Sequence, residues 1–93
     1  GTVVVDREEA LLKRTARIAR ASYTAGVTPS GPVQGHGKIR YLHTPSPATL
    51  APGGSATATV RFDKPQRAMT AGQSLVLYDG DRVVAGGIIE SVE

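Results

Sequence analysis

The stretch FDKPQRAMTAGQSLVLYDGDRVVAGGIIE, Phe62 to Glu90, decides the fold class. Ser74 to Tyr78 is a short apolar run rich in β-formers, and Arg82 to Ala85 is a second. Between them stands Asp79-Gly80-Asp81, an Asp-Gly turn, which is the strongest short-range hairpin signal. Gly86-Gly87 interrupts the second run, as glycines do at a bulge or a close backbone approach, and Ile88-Ile89 resumes it. Ala71-Gly72-Gln73 reads as a tight turn feeding the hairpin, with Gly72 free to take positive φ. This pattern predicts the closing hairpin of a small β-structure and contains no catalytic chemistry.

The same reading extends outward along the chain. Ala56 to Phe62 sets Ala56, Ala58, Val60 and Phe62 on one face against Thr57, Thr59 and Arg61, which predicts a strand ended by Lys64-Pro65. Pro52-Gly53-Gly54-Ser55 is a turn and Ala48 to Ala51 a short strand. Thr44-Pro45-Ser46-Pro47 breaks the strand before it. From His36 to His43, His36, Lys38, Arg40 and Leu42 alternate with Gly37, Ile39, Tyr41 and His43. That is a half-buried strand with one basic and one mostly apolar face. Ala25 to Gly35 holds three glycines and two prolines without periodicity and reads as a loop. Thr2 to Val5 is a β-branched run, hence a strand, and Asp6 with Glu9 forms a helix-start pattern. From there to Ala21, propensity argues for helix, while Thr15 to Tyr23 alternates only loosely.

Ninety-three residues support one domain with one core, spanning residues 1–93. Only four residues are aromatic (Tyr23, Tyr41, Phe62 and Tyr78), so aliphatic side chains must fill that core. Eleven glycines and six prolines imply many turns. Six or seven short antiparallel strands with such turns suggest an all-β barrel, which also removes unpaired edges. No apolar run approaches the roughly 20 residues that a membrane-spanning helix needs. A first residue other than methionine and the lack of a signal peptide suggest a fragment excised from a larger protein, and the absence of cysteine is compatible with a cytoplasmic one.

Cysteine is absent, which removes disulfides, thiolate metal sites and cysteine nucleophiles together. His36 and His43 sit at odd spacing, on opposite faces of a strand, and cannot chelate one metal between them. Asp79 and Asp81 are explained by the turn more simply than by paired-carboxylate chemistry. No glycine-rich phosphate loop precedes a helix, and no serine has a partner arrangement. An independent small enzyme is therefore the poorest of three readings; an RNA-binding accessory domain and a protein-interaction barrel remain. The formal charge of +3 is unevenly placed: residues 1–43 carry a net +4 and residues 44–93 a net −1. A basic half can attract phosphate, although a solvated surface is the commoner meaning of such charge. Arg40 beside Tyr41 suits phosphate contact with base stacking. On the residues alone, Tyr41 as core and Arg40 as a solvated strand residue is the more economical reading.

The recurring motifs FD-P-R-A-T-GQ-V-YDGD-V-GGIIE resemble the last strands of the C-terminal β-barrel domain of bacterial tRNA-specific 2-thiouridylases. Lys38 to Tyr41 (KIRY) and Pro47-Ala48-Thr49 are similar to earlier strands of that domain, in the right order. The resemblance runs from about Gly37 to Glu90. Ala71 stands where the family usually has proline, and Ser22-Tyr23 where it tends to carry Asn-Trp. The resemblance implies a translation-factor-like barrel with at most one helical turn, at Arg7 to Leu12, followed by a strand from about Thr15 to Tyr23. It implies a non-catalytic domain that helps to bind and position tRNA for ATP-dependent 2-thiolation of the wobble uridine. On this reading Arg40, Tyr41 and Gln73 contact tRNA, the domain has no cofactor or metal of its own, and ATP binds elsewhere in the parent enzyme. The implied partners are tRNA and the parent's catalytic and central domains. A structural barrel without RNA contact is the alternative.

Overall fold

The computed structural model describes residues 12–39, 44–67 and 69–93. Six strands follow in order: β1 Leu12–Tyr23, β2 Val33–Ile39, β3 Ser46–Pro52, β4 Ala58–Arg67, β5 Ser74–Asp79 and β6 Arg82–Val92. They close into a barrel with the neighbour order β1-β4-β3-β2-β5-β6, every pair antiparallel. No helix occurs among the described residues. The expected first strand at Thr2 to Val5 and most of the expected helical turn at Arg7 to Leu12 lie outside them. Leu12 itself already belongs to β1.

Helical propensity loses in β1 because the strand closes the barrel, pairing with β4 on one side and β6 on the other. Its alternation is interrupted once. Ala19 faces Ile88 but Ser22 faces Gly86, so β1 holds one residue more than β6 across that interval. Arg20 sits in this bulge with φ 54°. Ala16 and Ile18 point inward before it, and Ala21 and Tyr23 pack against the core after it. The inward set thus switches from even to odd numbers, which accounts for the loose period in the sequence.

Among the described residues, Phe62 is the one fully buried ring in an otherwise aliphatic core. Ile18, Leu50, Val60, Phe62, Leu75, Leu77 and Ile89 are fully buried, joined by Met69 from the β4–β5 connection. No charged or polar residue is buried among the described residues. Gly80 opens the two-residue β5–β6 turn with φ 63°, closed by the Asp79–Arg82 pair.

Several sequence-based boundaries move. β2 begins at Val33, so the loop ends sooner than Gly35, because Val33 and Gln34 pair with Leu50 and Thr49. β3 includes Ser46, Pro47 and Pro52 rather than stopping at Ala48 and Ala51. Only Ala48 to Leu50 is paired on both sides, so neither proline interrupts a doubly bonded stretch. β4 passes Lys64-Pro65 and ends at Arg67. Pro65 lies in the irregular interval between Arg61 and Gln66, where a missing N–H breaks no regular ladder. Ala56 belongs to the β3–β4 loop, exposed, with φ 57°. In β6 the bulge against β5 falls at Val83-Val84, where Tyr78 faces Val83 but Leu77 faces Ala85. Gly87 is instead a close approach: a Cβ there would stand 2.8 Å from the Ala19 carbonyl oxygen.

Candidate nucleic-acid interface

Of the three side chains expected to contact tRNA, Arg40 and Tyr41 lie outside the described residues. Gln73 closes the Thr70–Gln73 turn, in which Gly72 takes φ 95°. Its side-chain Oε1 accepts the Thr70 N–H at 2.9 Å, and its backbone N–H donates to the Thr70 carbonyl at 3.4 Å. The turn is tied to β6 twice: the Gly72 N–H donates to Ile89 O and the Ile89 N–H to Gln73 O, both at 2.8 Å. With the side-chain oxygen engaged, Gln73 is left two amide N–H donors for a ligand. Glycine at the positive-φ position forms this turn without a proline at Ala71.

The described part of β2 follows the expected alternation. Gly37 and Ile39 are buried, while Gln34 and His36 are exposed and Lys38 is half-buried on the outer face. β5 lies beside β2 and has the matching pattern, Leu75 and Leu77 inward, Ser74, Val76 and Tyr78 outward. The register sets His36 opposite Tyr78 and Lys38 opposite Val76. Lys38 is therefore the diagonal neighbour of Tyr78 on one surface, a relation of about 7–8 Å between backbones.

Two shallow clefts adjoin this surface. Lys38, Pro45, Tyr78, Gly80 and Asp81 line one of about 310 Å³. His36, Gln34, Thr49, Asp63 and Asp79 are among the walls of the other, about 370 Å³. The carboxylates at the second cleft oppose an anion there. No cluster of three potential metal ligands occurs among the described residues.

Two arginines stand on another wall. Arg17 of β1 pairs with Thr59 of β4, and Arg61 of β4 pairs with Thr15 of β1 and Thr49 of β3. Both arginines are exposed. Their cross-strand partners are these threonines and, for Arg17, Ser91 of β6, with no aromatic ring among them, so this wall offers charge and hydroxyls but no stacking surface. Among the described residues, the β2–β5 wall joins one lysine, Lys38, to the ring of Tyr78.

Tyr78 is the member of that wall that sequence reasoning missed, because it ends the apolar run of the hairpin and reads as part of it. Strict alternation from Ser74 onward, with Leu75 and Leu77 as the inward pair, assigns it to the outside.

A family described as the aminomethyltransferase beta-barrel domain matches residues 13–89. The chain is 46% identical over 87 residues to the tRNA-specific 2-thiouridylase MnmA of Koribacter versatilis, covering 94% of this chain and 24% of that protein. It is 44% identical over 89 residues to the protein of the same name from Clostridioides difficile, covering 96% and 25%. With that of Clostridium perfringens it shares 41% over 91 residues, covering 98% and 25%. The chain thus spans about a quarter of the length of the curated relatives it matches.

Proposed function

We infer function from kinship: the chain belongs to the family of the aminomethyltransferase beta-barrel domain, and its barrel is the one carried by tRNA-specific 2-thiouridylases. We propose that it serves such an enzyme as a non-catalytic domain, working in the cytoplasm, that helps to hold tRNA while a uridine is thiolated elsewhere in the polypeptide. The full reaction consumes ATP and moves sulfur, and this stretch has no cysteine to carry it. Arg40, Tyr41 and Gln73 are the proposed contacts.

The observation that carries the reading is the outward row of β2. Gln34, His36 and Lys38 present polar and basic side chains to solvent, and Arg40 follows Ile39 directly in the sequence. Lys38 on this wall, with Arg40 two residues on in the sequence, supplies positive charge that attracts phosphate, and each phosphate contact releases counterions. The remaining parts of the enzyme are the second partner.

Two measurements test the proposal. The purified chain is expected to catalyse neither ATP–pyrophosphate exchange nor tRNA thiolation, and either activity refutes the non-catalytic role. Removing the domain from the longer enzyme is expected to weaken tRNA binding. Unchanged binding over a range of salt concentrations would leave a structural barrel as the better description.

A further inference from the structure

The outer wall of β2 and β5 carries a specific combination that Arg40, Tyr41 and Gln73 do not include. Tyr78 projects from β5 with His36 opposite it on β2 and Lys38 diagonal to it. Gly80, two residues on, has φ 63° and no side chain; even a Cβ there would meet nothing within 4 Å. The tip of the β5–β6 hairpin therefore leaves the approach to the cleft beside the ring open. That cleft, about 310 Å³, is lined by both Tyr78 and Lys38. Neither Lys38, His36 nor Tyr78 is engaged in a side-chain hydrogen bond or ion pair among the described residues.

We propose that Tyr78 is a stacking platform for one unpaired nucleobase of RNA, with Lys38 holding an adjacent phosphate and His36 bordering the ring. This rests on the tRNA-binding reading and deepens it, because it selects a single-stranded segment over a helical stem. The chemistry favours that choice. A base paired inside an A-form duplex has its faces covered by neighbouring bases, so a ring on the barrel wall cannot reach them; an unstacked base in a loop has a free face. Stacking tolerates any base, and the point charge of Lys38 fits a phosphate without selecting sequence. Asp81, on the rim of the same cleft, disfavours a second phosphate there and limits the site to one nucleotide. The β1–β4 wall, with Arg17 and Arg61 among threonines, has the charge to meet a backbone but no ring for a base.

The chain contains no tryptophan, so Tyr78→Trp introduces a single indole at the proposed contact. Its fluorescence is expected to be quenched by a short single-stranded oligouridylate and to change little with a blunt-ended RNA duplex. Tyr78→Ala is expected to weaken binding of the single strand about tenfold, while Tyr78→Phe, which keeps the ring, binds like the unmodified chain. Lys38→Ala is expected to flatten the dependence of log K on log salt by about 0.7, the value of one single-strand phosphate contact. Should Tyr78→Ala lose its fold, the indole quenching and the Tyr78→Phe binding still decide the question. If the unmodified chain and its longer parent bind no RNA, the tRNA reading falls and this site falls with it. If they bind RNA, yet the indole of Tyr78→Trp responds equally to duplex and single strand or not at all, only the platform is overturned.

Discussion

The Phe62 ring of β4 reaches over β3 to Gly37 on β2: a Cβ on Gly37 would stand 2.8 Å from both Cε1 and Cζ of the ring. The largest fully buried side chain among the described residues is thus accommodated by the absence of a side chain at Gly37, and Ala48 flanks the same position at 3.5 Å. Gly37→Ala must push a fully buried ring against packed neighbours, an overpacking that costs about 1–3 kcal/mol. Urea denaturation is expected to show the loss as a lower midpoint with unchanged slope. Phe62→Leu in the same chain should recover part of it, giving a coupling energy above about 0.5 kcal/mol. Strict additivity of the two changes would mean that the backbone moves instead of the ring.

The β3–β4 loop stores strain that can be released. Ser55 and Ala56 both lie in the left-handed region, at φ 55° and 57°, where a Cβ crowds the following carbonyl. The loop is held there because the Ala56 carbonyl accepts the Ala21 N–H of β1 at 2.8 Å, beside the Arg20 bulge. Ala56→Gly removes the crowding, about 1–2 kcal/mol, against a loss of about 0.5–1 kcal/mol through the freer unfolded chain. A net gain of up to about 1.5 kcal/mol is expected in thermal unfolding. Destabilisation by this change would show that the methyl group packs favourably against something the φ values do not reveal.

The closing hairpin is legible in the sequence because its determinants are local. Gly80 in a two-residue turn and Gly72 before β5 each answer to a φ that few other residues adopt, and their neighbours announce it. The barrel is legible from strand count and turn spacing. β1 is not legible from its own residues: a bulge at Arg20 hides the period, and the pairings that override helical propensity come from β4 and β6, more than 30 residues away in sequence. Pro47 and Pro65 read as breaks for a similar reason. Whether a proline ends a strand depends on which edge lacks a partner, and only the closed register settles that. Gln73 is legible as a turn residue, but nothing local reveals that its side-chain oxygen is occupied by Thr70.

That occupancy shapes what Gln73 variants should do. Gln73→Ala deletes the acceptor for the Thr70 N–H, a bond worth about 0.5–1.5 kcal/mol. Gln73→Glu keeps an acceptor and removes the amide donors. Both variants are expected to weaken tRNA binding by the longer enzyme if the amide N–H groups make the contact, while only Gln73→Ala lowers stability measurably. For Gln73→Ala the salt dependence of binding should be unchanged, since no charge is lost. Full binding by Gln73→Glu in moderate salt would leave the residue a turn-former alone.

The last prediction separates β2 from the β1–β4 wall as the place where tRNA is held. Arg40 continues the sequence of β2, whereas Arg17 lies on β1, across the barrel in the neighbour order. If tRNA is held along β2, Arg40→Ala should weaken binding by the longer enzyme and flatten the plot of log K against log salt by about one unit, as one phosphate contact is lost. Arg17→Ala removes an identical charge from the same domain. Any effect of net charge alone is common to both variants, so it should appear equally in each and cancel in the comparison. A contact is local and should appear only in Arg40→Ala. Filter binding or fluorescence anisotropy at several salt concentrations gives both slopes. Equal flattening by the two variants would reduce the role of the barrel to diffuse attraction. A larger effect from Arg17→Ala would move the interface to the β1–β4 wall, where Arg61 and the threonines beside it would become the residues to change next.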